Sequence, residues 1–156
     1  GYYNPAILGT GITVTKNILD DKFMIMGLFF IFIIKIISTG ITLGSGGSGG
    51  IFAPVLLCGT AFGLFYGQII DIIIPGMISS PHFYAVVGMS AMISSTIRAP
   101  LTGVLIIFEL TQDYNLILPL FIASIIANLV SGKLISESIY SPVLFPHDFY
   151  NNIIDK

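Results

Sequence analysis

The sequence predicts an all-α membrane protein, a bundle of tilted and partly broken helices, and three observations carry that prediction. Hydrophobic residues make up 54% of the 156-residue chain and charged residues 9%, against about 25% charged in an ordinary soluble domain. One apolar run, 23–43, has the length needed to cross a hydrocarbon core. Further apolar runs are shorter and are interrupted by glycine or proline, which at membrane depth requires the freed backbone to face protein or a watery cavity.

Composition also excludes several functions. A net charge of −2 offers no basic footprint for nucleic acid. A lone cysteine, Cys58, cannot form an internal disulfide, and its setting after Val55-Leu56-Leu57 reads as a small packed side chain. His82 and His147 each follow a proline, with no carboxylate or cysteine at ligand spacing, so no metal site or catalytic cluster is expected and an enzyme reading has no support. The opening Gly1-Tyr2-Tyr3-Asn4-Pro5 has neither an initiator Met nor the marks of a signal peptide. The chain therefore reads as a piece of something longer.

Residues 1–22 carry Lys16, Asp20, Asp21 and Lys22 and are expected to lie at the interface. The run 23–43, polar only at Lys35, Ser38, Thr39 and Thr42, is the clearest spanning helix. Residues 44–51 are too rich in glycine to propagate a helix. A new helix is expected from about Phe52 to about Ile70, with Pro54 in its first turn, where a missing N–H matters little. Gly59, Gly63 and Gly67 recur every four residues as a small-residue stripe that admits a second helix.

Pro75-Gly76 and Ser79-Ser80-Pro81 bracket a loop, and a shorter apolar segment, 83–97, is broken by Arg98-Ala99-Pro100. Segments 101–110 and 117–130 follow, the second ended by Ser131-Gly132-Lys133, and both are short for a bilayer. Residues 52–150 are thus expected as short and re-entrant helices, with a polar tail at 151–156.

The glycine run admits competing readings. Gly44-x-Gly46-x-x-Gly49 fits the dinucleotide fingerprint, with Asp71 about twenty residues on, where a ribose-binding acid belongs. That motif needs a short β-strand before it, whereas a helix-length apolar run stands here, and no alternating strands and helices follow. A Walker loop is excluded because no Gly-Lys-Ser/Thr follows. A flexible linker is the plainest reading. The other reading uses the depth of the run: helix-start N–H groups at Ile51 and Phe52 together carry about half a positive charge and can donate to an anion. No charged residue lies between Lys35 and Asp71, and partial charges hold a permeating ion weakly enough to release it.

Leu43-Gly44-Ser45-Gly46-Gly47-Ser48-Gly49-Gly50-Ile51-Phe52-Ala53-Pro54 resembles the signature Gly-x-Phe-x-Pro region of the CLC family of chloride channels and chloride/proton antiporters. Arg98-Ala99-Pro100-Leu101-Thr102-Gly103 with Glu109-Leu110-Thr111 resembles a second block of that family, and similarity continues through Ile117-Leu118-Pro119 and Gly132-Lys133 to Ser138-Ile139-Tyr140-Ser141. The resemblance implies the C-terminal half of a CLC-type membrane domain, one half of an inverted repeat, transporting chloride as a channel or as an exchanger. It implies that Ile51 and Phe52 give backbone donors and Tyr140 a hydroxyl donor to chloride, with Gly49, Gly50, Ala53 and Pro54 forming the backbone of the anion loop.

The resemblance further implies a homodimer built partly by 101–110 and 117–130, whose Ile106, Ile107, Leu118, Phe121, Ile122 and Ile125 are apolar whichever way they face. Its other partners are the lipid bilayer and the N-terminal half, which carries the gating glutamate; no cofactor is implied. Arg98, Glu109 and Lys35 are expected to pair with neighbours or cap helix ends. The alternative from another class is a membrane scaffold or assembly subunit whose glycine run is a packing hinge.

Overall fold

A computed structural model of the chain describes residues 14, 15, 18, 25–45, 50–75 and 80–135. Regular structure among them is helical throughout: α1 (Ile25–Gly44), α2 (Phe52–Ile73), α3 (Pro81–Ile97), α4 (Pro100–Thr111), a 3-10 turn (Tyr114–Leu116) and α5 (Ile117–Leu134). α1 buries only Leu28, Ile31 and Lys35, spaced so that they share one face. Its other faces expose Met26, Phe30, Ile37 and Ile41, an apolar exterior that lipid tolerates and water does not. The chain is an integral, multi-pass membrane protein: α1, α2 and the segment Tyr114–Leu134 are each long and apolar enough to cross a bilayer.

α1 and α2 pack antiparallel, with Phe29 against Phe65 and Phe32 against Phe62 at centroid distances of 5.4 and 5.2 Å. Leu28 and Ile31 join Leu57, Ala61, Leu64 and Ala85 in one buried cluster, which Ile18 also enters. α2 and α3 pack antiparallel along the glycine stripe. A Cβ at Gly59 would lie 2.6 Å from the Gly88 carbonyl, and one at Gly67 would lie 2.9 Å from that of Pro81. The stripe expected from sequence does admit a helix, and its counterpart is Gly88.

α3 begins where Ser80 caps it, its Oγ accepting the His82 N–H at 3.3 Å, with Pro81 in the first turn. It ends at Arg98, whose left-handed backbone (φ 66°) sends its own N–H to the Ser94 carbonyl. Pro100 opens α4, and Gly103 lets α4 approach α3 so closely that a Cβ would come 2.8 Å from the Ser90 carbonyl. α4 has 12 residues, about 18 Å of helix, and so stops part-way through a bilayer about 30 Å thick. Asp113 then caps the 3-10 turn through the Asn115 N–H at 2.9 Å.

α5 corrects the sequence reading. Ser131-Gly132-Lys133 does not end it; the helix continues to Leu134, and with the 3-10 turn it makes a 21-residue span. Glycine in a helix costs about 1 kcal/mol, but here tertiary bonds hold the last turn. Arg98 donates to the carbonyls of Asn128 (3.2 Å), Ser131 (2.9 Å) and Ile135, and Ser131 Oγ donates to the Ser95 carbonyl at 3.2 Å. α3 and α5 therefore run parallel. Between them Ser90 Oγ and Ser124 Oγ lie 2.7 Å apart, and Ser94 Oγ donates to the Ser124 carbonyl at 2.7 Å. A second apolar cluster, including Ile93, Val104, Ile107 and Leu120, fills the space among α3, α4 and α5.

Candidate functional site

The start of α2 is where the expected site residues can be compared with geometry. Ile51 has helical torsions (φ −79°, ψ −28°) and no side-chain cap, and its carbonyl accepts the Val55 N–H at 3.1 Å. The N–H groups of Ile51, Phe52 and Ala53 have no partner among the described residues, and Pro54 has no N–H to satisfy. The first turn contains no acidic residue, so no carboxylate of its own competes for these donors. They are the positive end of a 22-residue helix.

Around them the backbone is open. Gly50 is exposed, and a Cβ built on it would meet nothing within 4 Å among the described residues. Ile51, Ala53 and Pro54 are half-buried, and Phe52 is 38% exposed. Four of the anion-loop and donor positions, Gly50 to Ala53, therefore form one continuous stretch of exposed and half-buried residues that turns into the helix at Phe52. Gly49 and Tyr140 lie outside the described residues. Chemically, such a helix start offers weak, directed N–H donors without a fixed charge, which suits reversible anion binding better than any bond-making step.

The other singled-out residues go elsewhere. Lys35 is buried on the face of α1 that carries Leu28 and Ile31. Arg98 caps α5, which is among the roles expected for it. Glu109 is exposed on α4, and His82 stands at the start of α3 with Nδ1 3.0 Å from Ser80 Oγ. Cys58 is a buried free thiol. Among the described residues no cluster of His, Cys, Asp or Glu could hold a metal ion. The serines were not singled out from sequence. Ser90 and Ser94, one helical turn apart in an apolar segment, were the available signal, because hydroxyls in lipid must find a partner.

An all-helical bundle with three segments long and apolar enough to cross a bilayer defines an integral membrane protein. The chain belongs to the voltage gated chloride channel family, whose defining sequence pattern matches residues 1–132. It is 40% identical over 142 residues to the H(+)/Cl(-) exchange transporter ClcA of Vibrio campbellii, covering 91% of this chain and 30% of that protein. It is also 36% identical over 140 residues to the putative chloride channel protein ClcB-like of Ralstonia nicotianae, covering 90% of this chain and 33% of that one. A crystal structure of a slow cyanobacterial Cl-/H+ antiporter superposes with a TM-score of 0.78 at 32% identity, over 83% of this chain and 31% of the antiporter. The chain thus spans about a third of the length of the relatives it matches.

Proposed function

We propose that this chain is the C-terminal part of a protein that carries chloride across a membrane, the ion being held by the Ile51 and Phe52 amides and the Tyr140 hydroxyl. The carrying observation is the uncapped start of α2, where the donors of Ile51 and Phe52 have no partner among the described residues. Gly49, Gly50, Ala53 and Pro54 shape the main chain beside the ion, and the remaining ligands come from the upstream half. The protein is a transporter and not an enzyme, and chloride is its cargo rather than a cofactor. The names of the ClcA relative and of the solved antiporter favour exchange of chloride for protons over passive conduction.

A homodimer follows the same reading. α5 carries an outward row of Leu118, Ile122, Ile125, Ile126 and Leu129, and α4 carries Leu101 and Leu105, a surface that a second copy can cover. Ile107 is not part of it, being fully buried in the core of this chain. The function is tested with the full-length protein in liposomes. Chloride flux is expected to fall, or to lose selectivity, in Tyr140→Ala. Unaltered flux and selectivity would take Tyr140 out of the site.

A further inference from the structure

Lys35 is 4% exposed in the middle of a helix long enough to span the bilayer. An ionisable group held at that depth is costly, and in membrane proteins it marks function more often than packing. Its position relative to α2 follows from two ring pairs, Phe29 with Phe65 and Phe32 with Phe62. Continued by three more residues, that antiparallel register sets Lys35 opposite Gly59 and beside Cys58, on the face of α1 that Leu28 and Ile31 also turn inward. The ammonium is near enough to Cys58 for its charge to act on the thiol. Gly59 is seven residues from Phe52 along α2, about 10 Å or two turns of helix. Lys35 therefore places a full positive charge about two turns behind the open donors of Ile51 and Phe52.

The other charges of the described residues are sorted along the bundle in the same sense. Because α2 runs antiparallel to α1 and α3, and α5 parallel to α3, the end of the bundle where α2 starts is also where α3 and α5 end and α4 begins. Arg98 and Lys133 lie at that end. Asp71 lies about 28 Å away along α2, and Glu109 and Asp113 lie at the far end of α4 and just beyond it. Arg98 is committed to the Asn128 and Ser131 carbonyls, where it offsets the negative ends of α3 and α5. Lys133 is exposed on the last turn of α5, so salt and water screen it, whereas the field of the buried Lys35 is screened much less. We propose that Lys35 sets the electrostatic potential of the anion site, drawing chloride to the Ile51 and Phe52 amides from about two turns away without touching it. The separation matters, because a cation in contact would hold the ion, while a remote one raises its affinity and leaves the contacts to partial charges. This rests on the proposal that those amides meet chloride.

The test uses the full-length protein carrying Lys35→Met, Lys35→Arg or Gly50→Asp, with chloride affinity measured by calorimetry. A unit charge about 10 Å from the ion, at the effective dielectric of a protein, changes affinity by on the order of tenfold. Lys35→Met, which keeps the length of the stem, is expected to weaken chloride binding by about that factor, and Lys35→Arg, which keeps the charge, to bind like the parent. Parental affinity in Lys35→Met would overturn the inference. So would a Lys35→Arg protein as weak as Lys35→Met, since shape and not charge would then decide. Gly50→Asp separates this inference from the reading beneath it. If Gly50→Asp leaves chloride binding intact, the amides of α2 do not meet the ion and the role of Lys35 falls with them; if it weakens binding while Lys35→Met does not, only the role of Lys35 is lost. Should Lys35→Met not fold, Lys35→Gln is read in its place with the same outcomes, and failure of both to fold would assign the lysine to folding and overturn the inference.

Discussion

Gly63 and Gly88 face each other across the seam of α2 and α3 so closely that a Cβ on Gly88 would lie 3.0 Å from the Cα of Gly63, while one on Gly63 would lie 2.9 Å from the Cα of Ala85. In lipid no hydrophobic force drives helices together, so close backbone contact is what holds such a pair. This seam also carries the start of α2, because α2 is a single helix from Phe52 to Ile73.

Gly63→Ala is therefore expected to destabilise the full-length protein by about 1–3 kcal/mol, the usual cost of overpacking a tight interior. Gly40→Ala is the comparison: a Cβ there meets nothing within 4 Å among the described residues, and alanine gains about 1 kcal/mol in helix propensity. Thermal unfolding in detergent should rank Gly63→Ala lowest and Gly40→Ala at or above the parent. Equal melting temperatures for the two would show that the α2–α3 seam is not tight.

The serine ladder gives a smaller effect. Ser124→Ala removes the partner of Ser90 Oγ at 2.7 Å but keeps the Ser124 carbonyl that accepts from Ser94. A loss of about 0.6–2 kcal/mol is expected, the range of interhelical hydrogen bonds in membranes. Adding Ser90→Ala should then cost little more, since its partner is already gone. Fully additive losses in a double-mutant cycle would contradict the Ser90–Ser124 bond.

Cys58 tests the burial of α2 directly. Cys58 is 4% exposed, so a membrane-permeant maleimide should leave it unmodified in the folded protein and label it after denaturation. Rapid labelling of Cys58 under native conditions would refute the packing of α2 against its neighbours.

How far these features could be read from the residues depended on which interaction decided each one. The start of α2 was legible because glycine entropy and the proline in its first turn are local properties of Gly50 to Pro54. The α2–α3 seam was half legible: four-residue spacing revealed Gly59, Gly63 and Gly67, but Gly88 is a single glycine and only the fold pairs it with them. The end of α5 was misread, because Gly132 looks like a stop when its cost is weighed alone. What carries the helix past it is Arg98, more than thirty residues earlier in the chain, and no local pattern links the two. The outward row on α5 was ambiguous for a related reason, since lipid and protein both accept Ile and Leu.

At the proposed anion site, placing a fixed negative charge beside the amides separates binding from folding. Gly50→Asp puts a carboxylate next to the open start of α2, where nothing among the described residues lies within 4 Å of its Cβ. Negative charge at a helix start stabilises the helix by about 0.3–1 kcal/mol, so the protein should unfold no earlier than the parent. Chloride is affected in the opposite sense, because two like charges about 4 Å apart near a protein surface repel by about 4 kcal/mol. Chloride flux from liposomes should therefore drop by on the order of tenfold or more, and Gly50→Asn, with the same shape and no charge, should drop far less. A stable Gly50→Asp protein that carries chloride at the parental rate would mean that the amides of Ile51 and Phe52 do not meet the ion.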